Sequence, residues 1–411
     1  MSKLIILKEY EFLQYRDETS SYEKAHYIEE KTFLELEKFV LANEETAPYL
    51  KLTSKKNFGK ILQAQNYVGV IQTKDGTSIE ILPKIQELQY EESKEILLKM
   101  LKTLKNSPFK HFNQASLHTS KIPLFEVFIS MFLEELAKLI RKGIRSDYIT
   151  QEENLYFLKG KLKIKEQVKQ NFIHKERFFV EYEEFSSDRV ENRLIKTTLE
   201  LLYKKSHSTK NQQKIREFLF VFDGIRESRN PKNDFKKLSQ NRQMKEYESV
   251  LLYAKTFLLG NSFSPYSGSE IAFALLFDMN ILFESYVGYY LKKQGLKVHL
   301  QDRGKYLVEK PSKFALRPDI VIAKDTENEI VADTKYKTIS NSKDISQADI
   351  YQLYAYGTKY KQTKELFLIY PKSGEEIIIN SLGYENNLDL HVVFFDLEKP
   401  GNFELKKRND E

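Results

Sequence analysis

Two acidic residues stand inside aliphatic runs, Leu316-Arg-Pro-Asp-Ile-Val-Ile322 and Ile330-Val-Ala-Asp-Thr-Lys-Tyr-Lys337. An unpaired carboxylate there loses its hydration, so Asp319 and Asp333 need compensating partners. A divalent metal with a neighbouring ammonium accounts for both. Carboxylates at adjoining strand ends supply hard oxygen ligands to Mg²⁺, with the Thr334 carbonyl as a further candidate ligand. Lys335 lies two residues past Asp333, hence on the same face of a strand. This set suits hydrolysis of a phosphodiester: the metal lowers the pKa of a bound water, and the ammonium holds that water or the developing negative charge.

These residues need rigid elements to position them. Strands are expected over residues 317–323 and 330–335, separated by the polar turn at 324–329. Upstream, apolar residues at helical spacing (Ile271, Leu275, Met279, Leu282, Tyr286, Tyr290) predict a helix over 270–293, and Glu284 on it is a third carboxylate that could serve a second metal. Downstream, residues 349–357 read as a helix that puts Gln352 and Tyr356 on one face at i, i+4. Strands at 365–370 and 391–396 follow. Arg317 and Lys337 flank the acidic pair as candidate contacts to DNA phosphates.

The chain has 411 residues, enough for two or three domains, with 41% hydrophobic and 30% charged residues, as in a globular protein. It lacks cysteine, which closes disulfide, thiolate-metal and Cys-nucleophile chemistry. None of the seven histidines stands at ligand spacing from another. The first residues have no signal-peptide pattern, and the apolar window at 122–140 is broken by charges, so a cytoplasmic protein without membrane contact is expected. The net charge of +6 is uneven: from Tyr266 onward 20 basic residues meet 22 acidic ones, net −2, which leaves +8 on the rest. Phosphate contacts would then fall partly on the upstream region or on a partner.

The upstream half begins with a strand-like run at 4–7 and a charged helical stretch at 21–41. Residues 68–82 predict a hairpin around Asp75-Gly76. Its Val70, Ile71, Asp75, Gly76, Ile79 and Ile81 are candidates for docking a protein partner, the alternative being an ordinary place in a small sheet. Amphipathic helices follow at 92–105 and 124–141. Lys159, Lys161, Lys163 and Lys165 alternate with Gly160, Leu162 and Ile164. As a strand, this stretch would make either a phosphate-contacting ridge or a solvated face. Helices are expected from about 188, at 212–223 and at 243–259. An α+β multidomain chain results, with a β-rich docking region at 1–115, a mostly helical middle with a basic strand at 116–265, and an α/β domain at 266–411.

Pro318-Asp319 followed by Asp333-Thr-Lys335 resembles the PD-(D/E)xK nuclease superfamily, whose core has this order of helices and strands. The Gln352-to-Tyr356 spacing resembles a helix that orients the catalytic lysine or touches DNA in several of those nucleases. Together with Ile79-Glu-Ile-Leu-Pro-Lys-Ile85, Glu152-Glu-Asn-Leu-x-x-Leu-x-Gly160, Glu184-Phe-Ser-x-Asp188, Glu191-Asn-Arg193 and Asp278-Met-Asn-x-Leu-Phe-Glu284, the chain is similar to the McrC family, nuclease subunits of McrBC-type restriction systems. The resemblance implies a restriction-endonuclease-like α/β core at the C-terminal end, with Asp319, Asp333 and Lys335 as the catalytic triad and Glu284 and Gln352 as supporting residues. It also implies Mg²⁺ as cofactor, DNA as substrate, and docking on a hexameric McrB-like AAA+ GTPase whose hydrolysis the subunit stimulates. The chain contains no Gly-x-x-x-x-Gly-Lys-Ser/Thr, so the motor is expected on another polypeptide. Two other readings stay open: a nuclease of the same fold in another defence or repair system with an ATPase partner, and a non-catalytic adaptor.

Overall fold

The structure, a computed structural model, describes residues 3–15, 25–43, 49–56, 59–85, 88–105, 107–111, 122–238, 244–259, 273–372, 374, 379, 382–384 and 387–405. The expected domain borders at 115/116 and 265/266 lie outside them. The chain divides into two compact units, one of Met1–Leu124 with Ser262–Glu411, the other of Phe125–Asn261.

In the first unit, the order Leu4–Lys8, Ser78–Leu82, Tyr67–Gln72, Phe273–Asp278 makes a four-stranded sheet. The Asp75-Gly76 hairpin forms, with Gly69 opposite Ile81 and Ile71 opposite Ile79. It occupies the middle of the sheet, between a parallel strand from the N-terminus and an antiparallel one from residues 273–278. Val70, Ile71, Ile79 and Ile81 are therefore fully buried. They build the core instead of the exposed docking face expected of them. The turn is the most exposed part of the hairpin, and Asp75 there accepts from the Thr73 hydroxyl at 2.6 Å, the Thr77 N–H at 2.8 Å and the Thr32 hydroxyl. Gly69 has φ +139°, and a Cβ on it would stand 2.1 Å from the Leu275 carbonyl oxygen, so only glycine fits this strand crossing.

A second four-stranded sheet runs Ala25–Ile28, Phe12–Tyr15, Gly59–Ala64, Leu50–Lys55. Of the helix expected at 21–41, residues 21–24 lie outside the described set. The rest is the strand Ala25–Ile28 and then the helix Glu30–Asn43, because Ala-His-Tyr-Ile pairs in parallel with Phe12–Tyr15. The 270–293 expectation needs a similar correction. Residues 270–272 are not described, Phe273–Asp278 is a strand, and the helix is Met279–Lys293, begun by the Asp278 side chain accepting from the Asn280 N–H. A short apolar run carries no periodicity that separates the two, and sheet pairing with residues 67–72 decides it.

The six-stranded sheet of this unit has the order Val298–Leu300, Ile320–Ile322, Ile330–Thr334, Glu365–Pro371, Leu388–Phe395, Leu382–Tyr384. Its central pairs Ile330–Thr334 with Glu365–Pro371 and Glu365–Pro371 with Leu388–Phe395 are parallel; the outer ones are antiparallel. Helix Gln347–Lys359 crosses between the first two parallel strands. It buries Leu353 and Tyr356 against Val321, Val331, Leu366 and Leu368. Phe283 and Tyr286 of Met279–Lys293 pack against Phe395. The strand expected at 317–323 narrows to Ile320–Ile322, since Pro318 lacks an N–H and Ala323 takes φ +47°.

In the second unit, helices Val190–Lys205, Thr209–Val221, Pro231–Lys237 and Glu248–Leu259 accompany Phe125 to Lys142 of the helix Leu124–Lys142. Phe132 meets Tyr253 and Phe257 edge-on. Buried Glu126 accepts from the Ser206 hydroxyl, the His207 and Ser208 N–H groups and the Asn211 amide, which fixes the start of Thr209–Val221. A three-stranded sheet places Phe178–Ser186 between Asp147–Leu155 and Lys161–Leu162. The lysine-alternating strand is thus only two residues long, and Ile164–Gln170 is a helix. The Asp188 and Glu191-Asn-Arg193 motifs turn out to hold this unit together. Asp188 accepts from Arg193 Nε at 2.6 Å and from Arg226 Nε at 2.5 Å, and Asn192 donates to the carbonyls of Arg145 and Ser187.

Candidate active site

The register places the acidic pair. Ile320 opposes Ala332 and Val321 opposes Val331 in the antiparallel pair, so one step further brings Asp319 opposite Asp333. Alternation puts both on the face of Val321 and Val331, toward helix Gln347–Lys359. Asp319 Oδ2 accepts from the Thr334 N–H at 2.9 Å and its hydroxyl at 2.8 Å, which locks the carboxylate across the two strands. Lys335 Nζ lies 2.7 Å from Asp333 Oδ2 and 3.8 Å from Asp349 Oδ1. Asp319, Asp333 and Lys335 therefore share one pocket.

Helix Gln347–Lys359 secures this trio. Lys335 Nζ donates to Gln352 Oε1 at 3.0 Å, Gln352 Nε2 to the Tyr356 hydroxyl at 2.7 Å, and that hydroxyl to the Arg317 carbonyl at 3.2 Å. The Gln-x-x-x-Tyr spacing thus becomes a relay from the lysine to the backbone just before Asp319. Tyr356 is only 3% exposed, so it positions the site and does not offer a surface to DNA. Lys337 is held by Asp349 at 2.9 Å, whereas the Arg317 side chain is exposed. Asp349 escaped the sequence reading, although its place at i−3 from Gln352 put it on the same helical face.

Electrostatics follow from burial. Asp333 is 2% exposed, and burial first, then the charge of Asp319, raise its pKa. Burial raises Asp319 as well, against the two Thr334 hydrogen bonds. Burial works against the charge on Lys335, but Asp333, Asp349 and Asp319 hold its pKa above the usual lysine value. The surrounding carboxylates thus favour the charged form of Lys335. Glu284 is pushed up to about 8 by burial and by Asp319, and Gln301 donates to it at 2.5 Å. Gln301, which no sequence signal marked, also gives its N–H to the Asp319 carbonyl at 2.8 Å.

The donor set fits a hard divalent cation. Two carboxylates face each other, and Oδ2 of buried Asp333 is balanced by the Lys335 ammonium at 2.7 Å. Among the described residues no three acidic or histidine side chains form a ready ligand cluster, so Glu284 stands outside the pair.

The remaining expected site residues lie elsewhere. Lys163 is paired with Glu152 at 2.7 Å and Glu181 at 3.2 Å, and Lys159 lies over the Tyr182 ring at 3.6 Å. Lys161, on the two-residue strand, is exposed. Beyond the lysines, the same sheet and helix carry an apolar surface that hydropathy alone did not mark: Phe157 at 60%, Leu158 at 61%, Ile164 at 73%, Val168 at 61%, Phe172 at 77% and Ile173 at 83% exposure. No helix among the described residues is long and apolar enough to cross a membrane.

Comparison with known proteins bears on the fold and the family. A refined half-complex from a tetradecameric assembly of Thermococcus gammatolerans McrB AAA+ hexamers with bound McrC is similar to the chain, with a TM-score of 0.69 at 19% identity over 98% of this chain and 97% of that one. The cryo-EM structure of the Thermococcus gammatolerans McrBC complex gives a TM-score of 0.51 at 21% identity over 72% of this chain and 90% of that one. No curated protein matches. The family described as McrBC 5-methylcytosine restriction system component matches residues 62–371, and the chain belongs to that family.

Proposed function

We propose that the chain is a Mg²⁺-dependent DNA endonuclease of PD-(D/E)xK type, the cutting subunit of a McrBC-like restriction complex with a AAA+ GTPase as motor. The observation that carries this reading is the opposed Asp319 and Asp333 with Lys335 Nζ at 2.7 Å, braced through Gln352 and Tyr356. Asp319 and Asp333 would hold the cation, with the Thr334 carbonyl as a further ligand, while Glu284, outside the pair, would serve only a second cation. Bound Mg²⁺ supplies Lewis acidity and a more acidic water. Lys335, kept protonated and aimed by Gln352, stabilises negative charge on the phosphate. Exposed Phe157, Phe172 and Ile173, close together in the sequence around one sheet and helix, are the docking face for the motor.

The test is cleavage of plasmid DNA by the chain with its motor, GTP and Mg²⁺, wild type against Asp333→Ala. Loss of cutting with GTP hydrolysis retained supports the assignment; equal cutting by both removes it. Retained GTP hydrolysis with no cutting even by the wild type would favour the non-catalytic adaptor. For the docking face, Phe172→Ser with Ile173→Ser should abolish stimulation of the GTPase, and undiminished stimulation would place the interface elsewhere.

A further inference from the structure

Residues 303–317 carry Arg303, Lys305, Lys310, Lys313 and Arg317 against a single acidic residue, Glu309, inside a region whose net charge is −2. The structure shows what this concentration is built on. Among the described residues, Tyr306–Val308 and Lys313–Ala315 pair only with each other as a two-stranded ribbon, Tyr306 opposite Ala315 and Val308 opposite Lys313. All six strand residues are exposed, Phe314 at 71% and Leu307 at 44%. Phe314 takes φ +57°, a strained conformation for an aromatic residue, and it leaves the ring without burial.

The base of the ribbon, by contrast, is fixed. The Leu316 N–H donates to the Lys305 carbonyl at 2.8 Å, Lys305 Nζ lies 4.0 Å from the centre of the Tyr360 ring, and the buried Tyr360 hydroxyl donates to Asp302 at 2.8 Å. The chain leaving the ribbon reaches Arg317, whose carbonyl Tyr356 holds, two residues before Asp319. Arg303, Lys310, Lys313 and Arg317 make no ion pair among the described residues. A rigidly based ribbon with cations outside any ion pair among the described residues and with uncovered apolar side chains, two residues from Arg317 and four from the candidate metal ligand, has few uses inside the protein.

We propose that this ribbon is a duplex-DNA contact beside the scissile phosphate, with Lys310 and Lys313 on backbone phosphates and Phe314 against sugar or base edges. The inference rests on the nuclease reading and extends it by naming the element that grips the strand. A two-stranded ribbon matches a B-DNA groove in size, and apolar side chains at its surface have a place against unstacked or bent steps. A second copy of the chain is the less favourable occupant, because two ribbons with five cations to one carboxylate each would repel.

The experiment measures binding of the full chain to a labelled duplex in Ca²⁺, which permits no turnover, across a salt series. Replacing both lysines (Lys310→Gln with Lys313→Gln) should make the slope of log affinity against log salt shallower by about 2, roughly one for each lost phosphate contact. Phe314→Ser should weaken binding several-fold without altering that slope. An unchanged slope in the first variant, or unchanged affinity in the second, overturns the proposal. So does a change in self-association by sedimentation with DNA binding intact, which would assign the ribbon to a second copy. Cutting is not read in this assay, so failure of the Asp333→Ala comparison would condemn the nuclease chemistry and leave the salt slopes to be judged separately.

Discussion

Glu9→Gln probes the seam through which the N-terminal segment supports the strand that carries Asp333. Glu9 is fully buried; its Oε2 accepts from the Lys84 N–H and the Tyr336 hydroxyl, each at 3.0 Å, and its Oε1 has no hydrogen-bond partner among the described residues. Tyr336 directly follows Lys335. Burial pushes the Glu9 carboxyl from 4.5 up to about 8, and the facing groups, Lys84, Tyr336 and Asp278, do not reverse this. The folded chain therefore keeps a proton that the unfolded chain releases once the pH passes about 4.5. Stability should fall by about 1.4 kcal/mol per pH unit over that window, in total about 5 kcal/mol by pH 8. Glutamine keeps the shape and the acceptor but cannot ionise. Denaturant unfolding of both proteins at a series of pH values isolates the effect, because all other titrations are shared. At pH 5 they should differ by about 1 kcal/mol or less, the worth of one altered hydrogen bond. Above pH 8 the variant should be the more stable by several kcal/mol. A stability difference that stays flat with pH would refute the assignment of a proton to buried Glu9.

Gly69→Ala should lower the thermal midpoint strongly, by an equivalent of about 3 kcal/mol or more, since the added Cβ meets a backbone oxygen that cannot move aside. A change below about 1 kcal/mol would mean the strand crossing is looser than described. Gln352→Ala, which removes the brace on Lys335, should slow DNA cutting roughly ten- to a hundredfold while leaving DNA affinity unchanged. Equal single-turnover rates would show that the lysine needs no brace. Asp188→Asn should destabilise Phe125–Asn261 by about 2 kcal/mol in denaturant, because two guanidinium groups lose their carboxylate. An unaltered midpoint would show that the motif is not structural.

What the sequence made legible was local. Ile320–Ile322 and Ile330–Thr334 were readable because β-branched residues flank a polar turn, and the two-residue step from Asp333 to Lys335 fixed their common face. Gln352 and Tyr356 were readable from a four-residue step on one helix. What was missed depends on pairings distant in sequence. The 67–82 hairpin reads like any hairpin until strands from residues 4–8 and 273–278 enclose it, which turns its apolar residues from surface into core. The lysines at 159–165 failed as a strand because antiparallel pairing with Phe178–Ser186 reaches only two residues of that stretch. Asp349 and Gln301 are polar residues in polar stretches, and only three-dimensional proximity to Lys335 and Glu284 gives them a role.

The proposed nuclease function requires that Asp319 and Asp333 together hold a divalent cation. Anomalous diffraction from crystals of the protein soaked in Mn²⁺ tests this directly. A manganese peak is expected between the two carboxylates in the wild type and not in Asp333→Asn. Saturating Mn²⁺ with no peak there, or a peak that survives the substitution, would contradict it.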